Sequence, residues 1–338
     1  MIKLKIFVLS LIIILNACFI SCSKKEINDS EEDKIFQEIV KDQKNTGAYF
    51  NRIDFYTDNY QYQLALDDID FVLSLNVTDE EKSMCLSKKA NIILYQNKEV
   101  VLNDEVIKKD FLVNINEAIK LNSNNSHAYR TLGYFYAMDS DLEKALTYVD
   151  KAKEIDKNTK KEYIKSLFTK ACIYDIYAAK TKDVSSLQKA LDNYLSIINE
   201  FGNDKNLINQ LKEVFFNIGN IYIKQENYKL AIDNFTKIID SSNDIKIPLT
   251  IKSYFFRGLS NYNNEKYNDA LADFEDCKTL LEKNILLSDS LLSIFPSLNY
   301  FKAIVYYHLG EYNECLLFFN KYLDDDRENS FMLSKKMF

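Results

Sequence analysis

One spacing constrains this chain more than anything else in it. A small residue is followed twelve positions later by another small residue, as Gly133 by Ala145, Gly219 by Ala231 and Gly258 by Ala270. Around each pair the same frame returns. An aromatic stands four before the first small residue (Tyr129, Phe215, Tyr254), and a second stands three after it at Tyr136 and Tyr222. Apolar residues follow at fixed offsets, as Val149 and Ala152, Phe235 and Ile238, Phe274 and Cys277. Tyr49, Ile53, Tyr56, Ala65, Ile69 and Val72 repeat the frame with Ile in the small position; Ala303, Tyr306, Cys315, Phe319 and Tyr322 repeat it at the far end.

Residues three and four apart share one face of a helix. Each frame therefore predicts a helical hairpin, with small residues where the two backbones approach and aromatics filling the space beside them. Polar segments such as Asp139-Ser140-Asp141 and Gln225-Glu226-Asn227 supply the turns. Composition agrees. Only 6 Gly and 2 Pro occur in 338 residues, too few for the turns of a β-sandwich or barrel, while 47% of residues are hydrophobic. A net charge of −7 argues against a nucleic-acid partner, which is held by clustered Lys and Arg.

The pattern resembles the tetratricopeptide repeat family over nearly all of the chain. The resemblance implies an all-α, right-handed α-solenoid of about seven hairpins, beginning near Thr46, Ser83, Ser126, Ile164, Lys212, Ile251 and Pro296, against a family period of about 34 residues. Between Ala90 and Phe111, and between Ala171 and Ala190, the spacing exceeds twelve, which predicts an insertion in the inter-helix turn. The array is expected over 34–329. Ser30-Glu31-Glu32-Asp33 reads as a capping box, and Ile35, Phe36, Ile39 and Val40 as the apolar face of an N-terminal cap helix. Residues 330–338 read as a C-terminal tail whose apolar residues either fold back or leave the array incompletely capped, an opening for self-association.

Ahead of the array, Lys3 and Lys5 precede the apolar run Ile6 to Leu15, and small residues precede Cys18 and Cys22. This resembles the signal peptide and lipobox of bacterial lipoproteins. It implies a signal peptide over 1–21, a lipidated Cys22 (alternative Cys18), a flexible tether over 22–33, and a bacterial membrane lipoprotein of the outer membrane facing periplasm or cell surface. Cys22 is preferred because the polar sequence Ser23-Lys24-Lys25-Glu26 follows it at once.

In the family the first helices line a concave groove that holds peptides or partner helices. Carried over, the residues after each leading aromatic face it: Phe50, Arg130, Phe168, Phe216, Phe255 and Tyr300. One turn on come Asp54, Asn91, Tyr134 and Asn220, then Tyr262 and Tyr307 toward the C-terminal end. The rings serve either as a binding stripe or as packing between neighbouring first helices; the polar members are the better contacts, since packing does not require them. Lys165 and Lys252 lack the Lys-Asn pair of a carboxylate clamp on the preceding unit.

No nucleotide-binding or nucleophile-elbow motif is present, the two histidines, His127 and His308, lie in distant units, and Cys85, Cys172, Cys277 and Cys315 form no C-x-x-C pair. The expectation is no enzyme, no cofactor and no metal. The chain reads as a non-catalytic scaffold or adaptor for other proteins of the cell envelope. A solute-binding lipoprotein capturing peptides or glycans is the alternative, weakened by the absence of Trp.

Overall fold

The computed structural model describes residues 31–97, 100–241, 247–283 and 294–336. Cys18, Cys22, the signal peptide and nearly all of the expected tether lie outside them, as does Ser30 of the capping box. Fifteen α-helices and no strand occur among the described residues. Helix α1 (Glu31–Lys41) begins where the tether was expected to continue. Seven hairpins follow: α2 (Thr46–Asp58) with α3 (Tyr62–Ser74), α4 (Asp79–Gln96) with α5 (Glu105–Leu121), α6 (Ser126–Met138) with α7 (Leu142–Asp156), and α8 (Lys160–Thr181) with α9 (Val184–Phe201). Then come α10 (Ile208–Lys224) with α11 (Tyr228–Asp240), α12 (Ile247–Asn263) with α13 (Tyr267–Lys283), and α14 (Ile294–His308) with α15 (Tyr312–Lys336).

Five hairpins turn in the same way. Tyr60, Ser140, Glu226, Glu265 and Gly310 each adopt a left-handed φ between 57° and 78°. The next N–H bonds back across the helix end, from Gln61 to the Tyr56 carbonyl, Asp141 to Tyr136, Asn227 to Tyr222, Lys266 to Asn261 and Glu311 to Tyr306. This is the Schellman closure, which satisfies carbonyls the helix leaves unpaired. Asp141 and Asn227 then cap the second helix, accepting from the Lys144 and Leu230 N–H groups. One local device thus sets the twelve-residue spacing.

Of the two irregular hairpins, the second carries the expected inserted turn and the fourth does not. In the fourth, the extra residues extend the first helix: α8 has 22 residues where α6 has 13, and the chain reverses at Lys182 alone. In the second, α4 lengthens to 18 residues and the connection to α5 runs over 97–104, longer than the regular turn, with Val101 buried. A capping box at Thr78 and Glu81 starts α4.

The small residues do two kinds of work. A Cβ on Gly133 would sit 3.3 Å from the Ala145 carbonyl oxygen, so there the backbones do approach. On Gly219 and Gly258 it would meet the rings of Phe235 and Phe274 at 2.7 and 2.6 Å. Those glycines admit a phenyl ring from the second helix. Phe235 and Phe274 are accordingly fully buried, as are Ile69 and Val149 at the same offset.

Helix α1 covers the first hairpin with Ile35 and Ile39, leaving Val40 exposed and Phe36 at the margin. The other end does not fold back, because α15 continues through Lys336 in place of the tail expected from 330. No helix of the described residues is long and apolar enough to cross a membrane.

Candidate functional site: the concave face

The first helices carry the candidate groove residues, and the structure divides them into three kinds. Arg130 is not a free contact. It lies buried on α6, with guanidinium nitrogens 2.6 Å from Asp156 and 2.8 Å from Glu162, and it also donates to Ser126. Packing of α6, α7 and α8 does require this polar side chain, contrary to the sequence expectation. Asp54 is likewise committed, exposed but paired with the buried Lys88 of the next unit. Phe255 is also buried, ringed by Phe256, Phe274 and Phe301 at 5.6 to 6.1 Å.

Phe50, Phe168 and Phe216 are half-buried, Phe216 edge-on to Phe235 and Phe256 and Phe168 tilted against Tyr194. Asn91, Tyr134 and Asn220 are half-buried on α4, α6 and α10. Among these the packing role predominates for the rings.

The third kind gathers at the C-terminal half, where Tyr300 and Tyr307 are exposed and Tyr262 is half-buried. Tyr262 shares a hydrogen bond of 3.1 Å with His308, whose ring stacks on Tyr267 at 5.3 Å. Tyr307 lies 5.8 Å from His308 and 6.0 Å from Tyr312. These five rings form a ladder across the last two hairpins, and Tyr307 and Tyr312 are 60% and 62% exposed. Tyr300 is exposed and packs on Tyr322.

A polar cluster that the offsets did not reveal sits at mid-array. Cys172 Sγ and the Tyr194 hydroxyl are 3.0 Å apart, and Asn217 donates to that hydroxyl at 2.9 Å. Burial pushes the Cys172 thiol up to about 12, so it is a neutral thiol without nucleophilic character. Burial also drives the Tyr134 phenol well above its ordinary value, with Cys172 adding to the effect. Tyr95 of α4, although 44% exposed, is also raised, first by desolvation among the surrounding units and then by Glu213 of the fifth unit, Cys172 of the fourth and Asp58 of the first. Groups from units far apart in sequence therefore face one another across the interior of the superhelix.

A direct bridge confirms how tightly the array curves. Tyr60, in the left-handed turn of the first hairpin, accepts a hydrogen bond of 2.5 Å from Lys252 Nζ on α12, and that ammonium lies 4.6 Å from the ring centroid. Tyr60 also packs into the apolar cluster of the sixth unit. No local pattern marks this pair; only the curvature brings it together.

His127 Nδ1 has no hydrogen-bond partner, and burial, followed by Lys88, Arg130 and Lys165, holds the ring well below its ordinary value. No group of His, Cys, Asp and Glu among the described residues is placed to hold a metal ion.

Residues 212–245, spanning most of the fifth hairpin, match the tetratricopeptide repeat family. No curated protein matches the chain. Among solved structures the chain is similar to aspartyl phosphate phosphatase F from Bacillus subtilis, with 13% identity over 85% of this chain and 76% of that one at a TM-score of 0.50. A monomeric mutant of IFIT1 with m7Gppp-AAAA is 14% identical over 86% of this chain and 66% of that one, at 0.53. BtubC from P. vanneervenii is 11% identical over 74% and 92%, at 0.50. At these identities the likeness is one of fold.

Proposed function

We propose, starting from an all-α solenoid of tetratricopeptide-type hairpins, that this chain is a non-catalytic scaffold of a bacterial cell envelope. A lipid on Cys22 would hold it to the membrane, and the ladder of Tyr262, Tyr267, His308, Tyr307 and Tyr312 would grip a protein partner. The ladder carries the reading. Aromatic rings are the side chains that most often anchor protein interfaces, and Tyr307, His308 and Tyr312, exposed but held by their neighbours in the row, lose little freedom on binding. Elsewhere on the concave side Arg130, Asp54 and Phe255 are committed to holding the units together, which favours the C-terminal half as the part that binds.

The anchor rests on the signal sequence, and two or more acyl chains on one cysteine satisfy the need for more than one membrane signal. Metabolic labelling with a clickable fatty acid tests it: Cys22→Ala should abolish incorporation and Cys18→Ala should not. The ladder is tested by crosslinking in intact membranes followed by purification of the full chain. Tyr307→Ala combined with His308→Ala should lose the recovered envelope protein at unchanged helicity. Recovery of no protein, together with heat stabilisation by a glycan or a short peptide, would replace the scaffold by solute capture.

A further inference from the structure

The repeats supply their own standard for what the last helix should bury. At one position of the second helix, Ile69, Val149, Phe235 and Phe274 are each 0% exposed. Its counterpart in the last hairpin, Phe319, is 41% exposed. Three residues earlier, Leu66, Leu146, Ile232 and Leu271 are half-buried, whereas the counterpart Leu316 is 61% exposed. In the other units the next first helix helps to cover this surface, and no described helix follows α15. The last helix keeps the pattern of an interior one.

Its exposed apolar residues also form a seam. Tyr312, Leu316, Phe319 and Leu323 are spaced four, three and four apart, which is the d-a-d-a spacing of a helix that packs lengthwise on another helix. The positions flanking the seam are Asn313 and Asn320 on one side and Cys315 and Tyr322 on the other, none of them charged. With 36% to 62% of each exposed, the four seam residues present several hundred Å² per copy, so two such faces bury roughly 1,000 Å², the area at which a specific interface begins.

Charge selects the occupant. A chain of net charge −7 repels its own copies over most of its surface, and least at an uncharged face. A different protein matched to this chain would be selected by charges at the rim, and this rim offers none. We propose that two copies of this chain associate tail to tail through α15, about a two-fold axis near Leu316 and Phe319. Such a contact is closed, so it stops at two. It pairs two aromatic ladders and, if the anchor reading holds, two anchors, which raises avidity for a partner without any new contact.

Sedimentation velocity on the full chain in detergent micelles tests this, with helicity checked by circular dichroism. The wild type should double its protein mass with rising concentration, and Leu316→Glu/Phe319→Glu should stay monomeric. Val106→Glu/Val184→Glu, at positions 78% and 77% exposed on α5 and α9, should dimerise like the wild type. In membranes, Leu316→Cys or Phe319→Cys should form a disulfide with its own counterpart on oxidation, above the level of the wild type with its Cys315. A monomeric wild type overturns the proposal. So does crosslinking of Phe319→Cys only to a Val40→Cys copy, which would mean head-to-tail growth. Tyr312 belongs both to this seam and to the ladder, so residues of only one surface separate the two readings: Tyr307→Ala/His308→Ala should lose the partner and remain a dimer, and Leu316→Glu/Phe319→Glu should become monomeric and keep the partner.

Discussion

Arg130 offers the sharpest test of how the concave face is built. Its side chain is 7% exposed and that of Asp156 5%, with 2.6 Å between the charged atoms. Removing one partner from a buried pair leaves a charge that neither water nor protein compensates, at a cost of about 3–5 kcal/mol. Asp156 would keep one bond here, from Ser166 Oγ at 2.6 Å, and Glu162 is partly open to water and retains Lys165. Arg130→Met should therefore fall at the lower end, about 3 kcal/mol, roughly a hundredfold in the folding equilibrium. Adding Asp156→Asn removes the stranded charge and keeps an acceptor for Ser166, so the double variant should recover about 1–2 kcal/mol of that loss. Urea unfolding followed at 222 nm on the two single variants, the double variant and the wild type gives the cycle. A cost below about 1 kcal/mol for Arg130→Met, or a double variant no better than the single, would show that Arg130 is free for a partner and would refute the packing account.

Three further outcomes are expected. Gly219→Ala should destabilise despite the better helix propensity of Ala, because its Cβ would lie 2.7 Å from the buried Phe235 ring; overpacking of about 1–3 kcal/mol outweighs a propensity gain of about 1, and Phe235→Leu should partly rescue it in urea titrations. Burial raises the Glu162 carboxyl, but Arg130 and Lys165 outweigh burial and hold it below the usual 4.5. Its contribution is thus complete above that pH and lost as pH falls through the folded value, so Glu162→Gln should flatten the acid limb of the stability profile measured by urea midpoints. Lys252→Ala should cost about 1–2 kcal/mol and raise the radius of gyration in small-angle scattering, since it removes both the hydrogen bond and the cation over the Tyr60 ring; an unchanged radius would mean the bridge does not hold the curvature.

The hairpins were legible because their cause is local. A Schellman turn of fixed length repeats in five hairpins, with apolar residues at fixed offsets from it, so the frame recurs from Tyr49 to Tyr322. The same logic misplaced the extra residues near Ala171, since a longer gap between small residues does not say whether turn or helix has grown. Groove exposure was legible only in part. Phe255 and Tyr300 share a register position, yet one is sealed by Phe274 and Phe301 while the other is exposed near the end of the array; what differs is the neighbour, which an offset cannot express. Arg130 looked available because its partners Asp156 and Glu162 belong to other helices. The box at Thr78 and Glu81 is a Thr-x-x-Glu spacing that stands among other polar residues before Ser83, which mask it in the sequence.

The bridge between Tyr60 and Lys252 changes how this array should come apart. In a linear stack each unit leans only on its neighbours, so melting starts at either end and halts anywhere. Here residues 192 apart in sequence are joined, and closing so long a loop from a disordered chain costs about 5 kcal/mol by the logarithmic rule, more than one hydrogen bond returns. The bridge therefore forms last, once the intervening hairpins have brought its two ends near, then tightens the curvature they leave, and opens as soon as any of them does. In hydrogen exchange the stretch from Tyr60 to Lys252 should behave as one cooperative block, with the hairpin of α14 and α15, outside the ring, exchanging first.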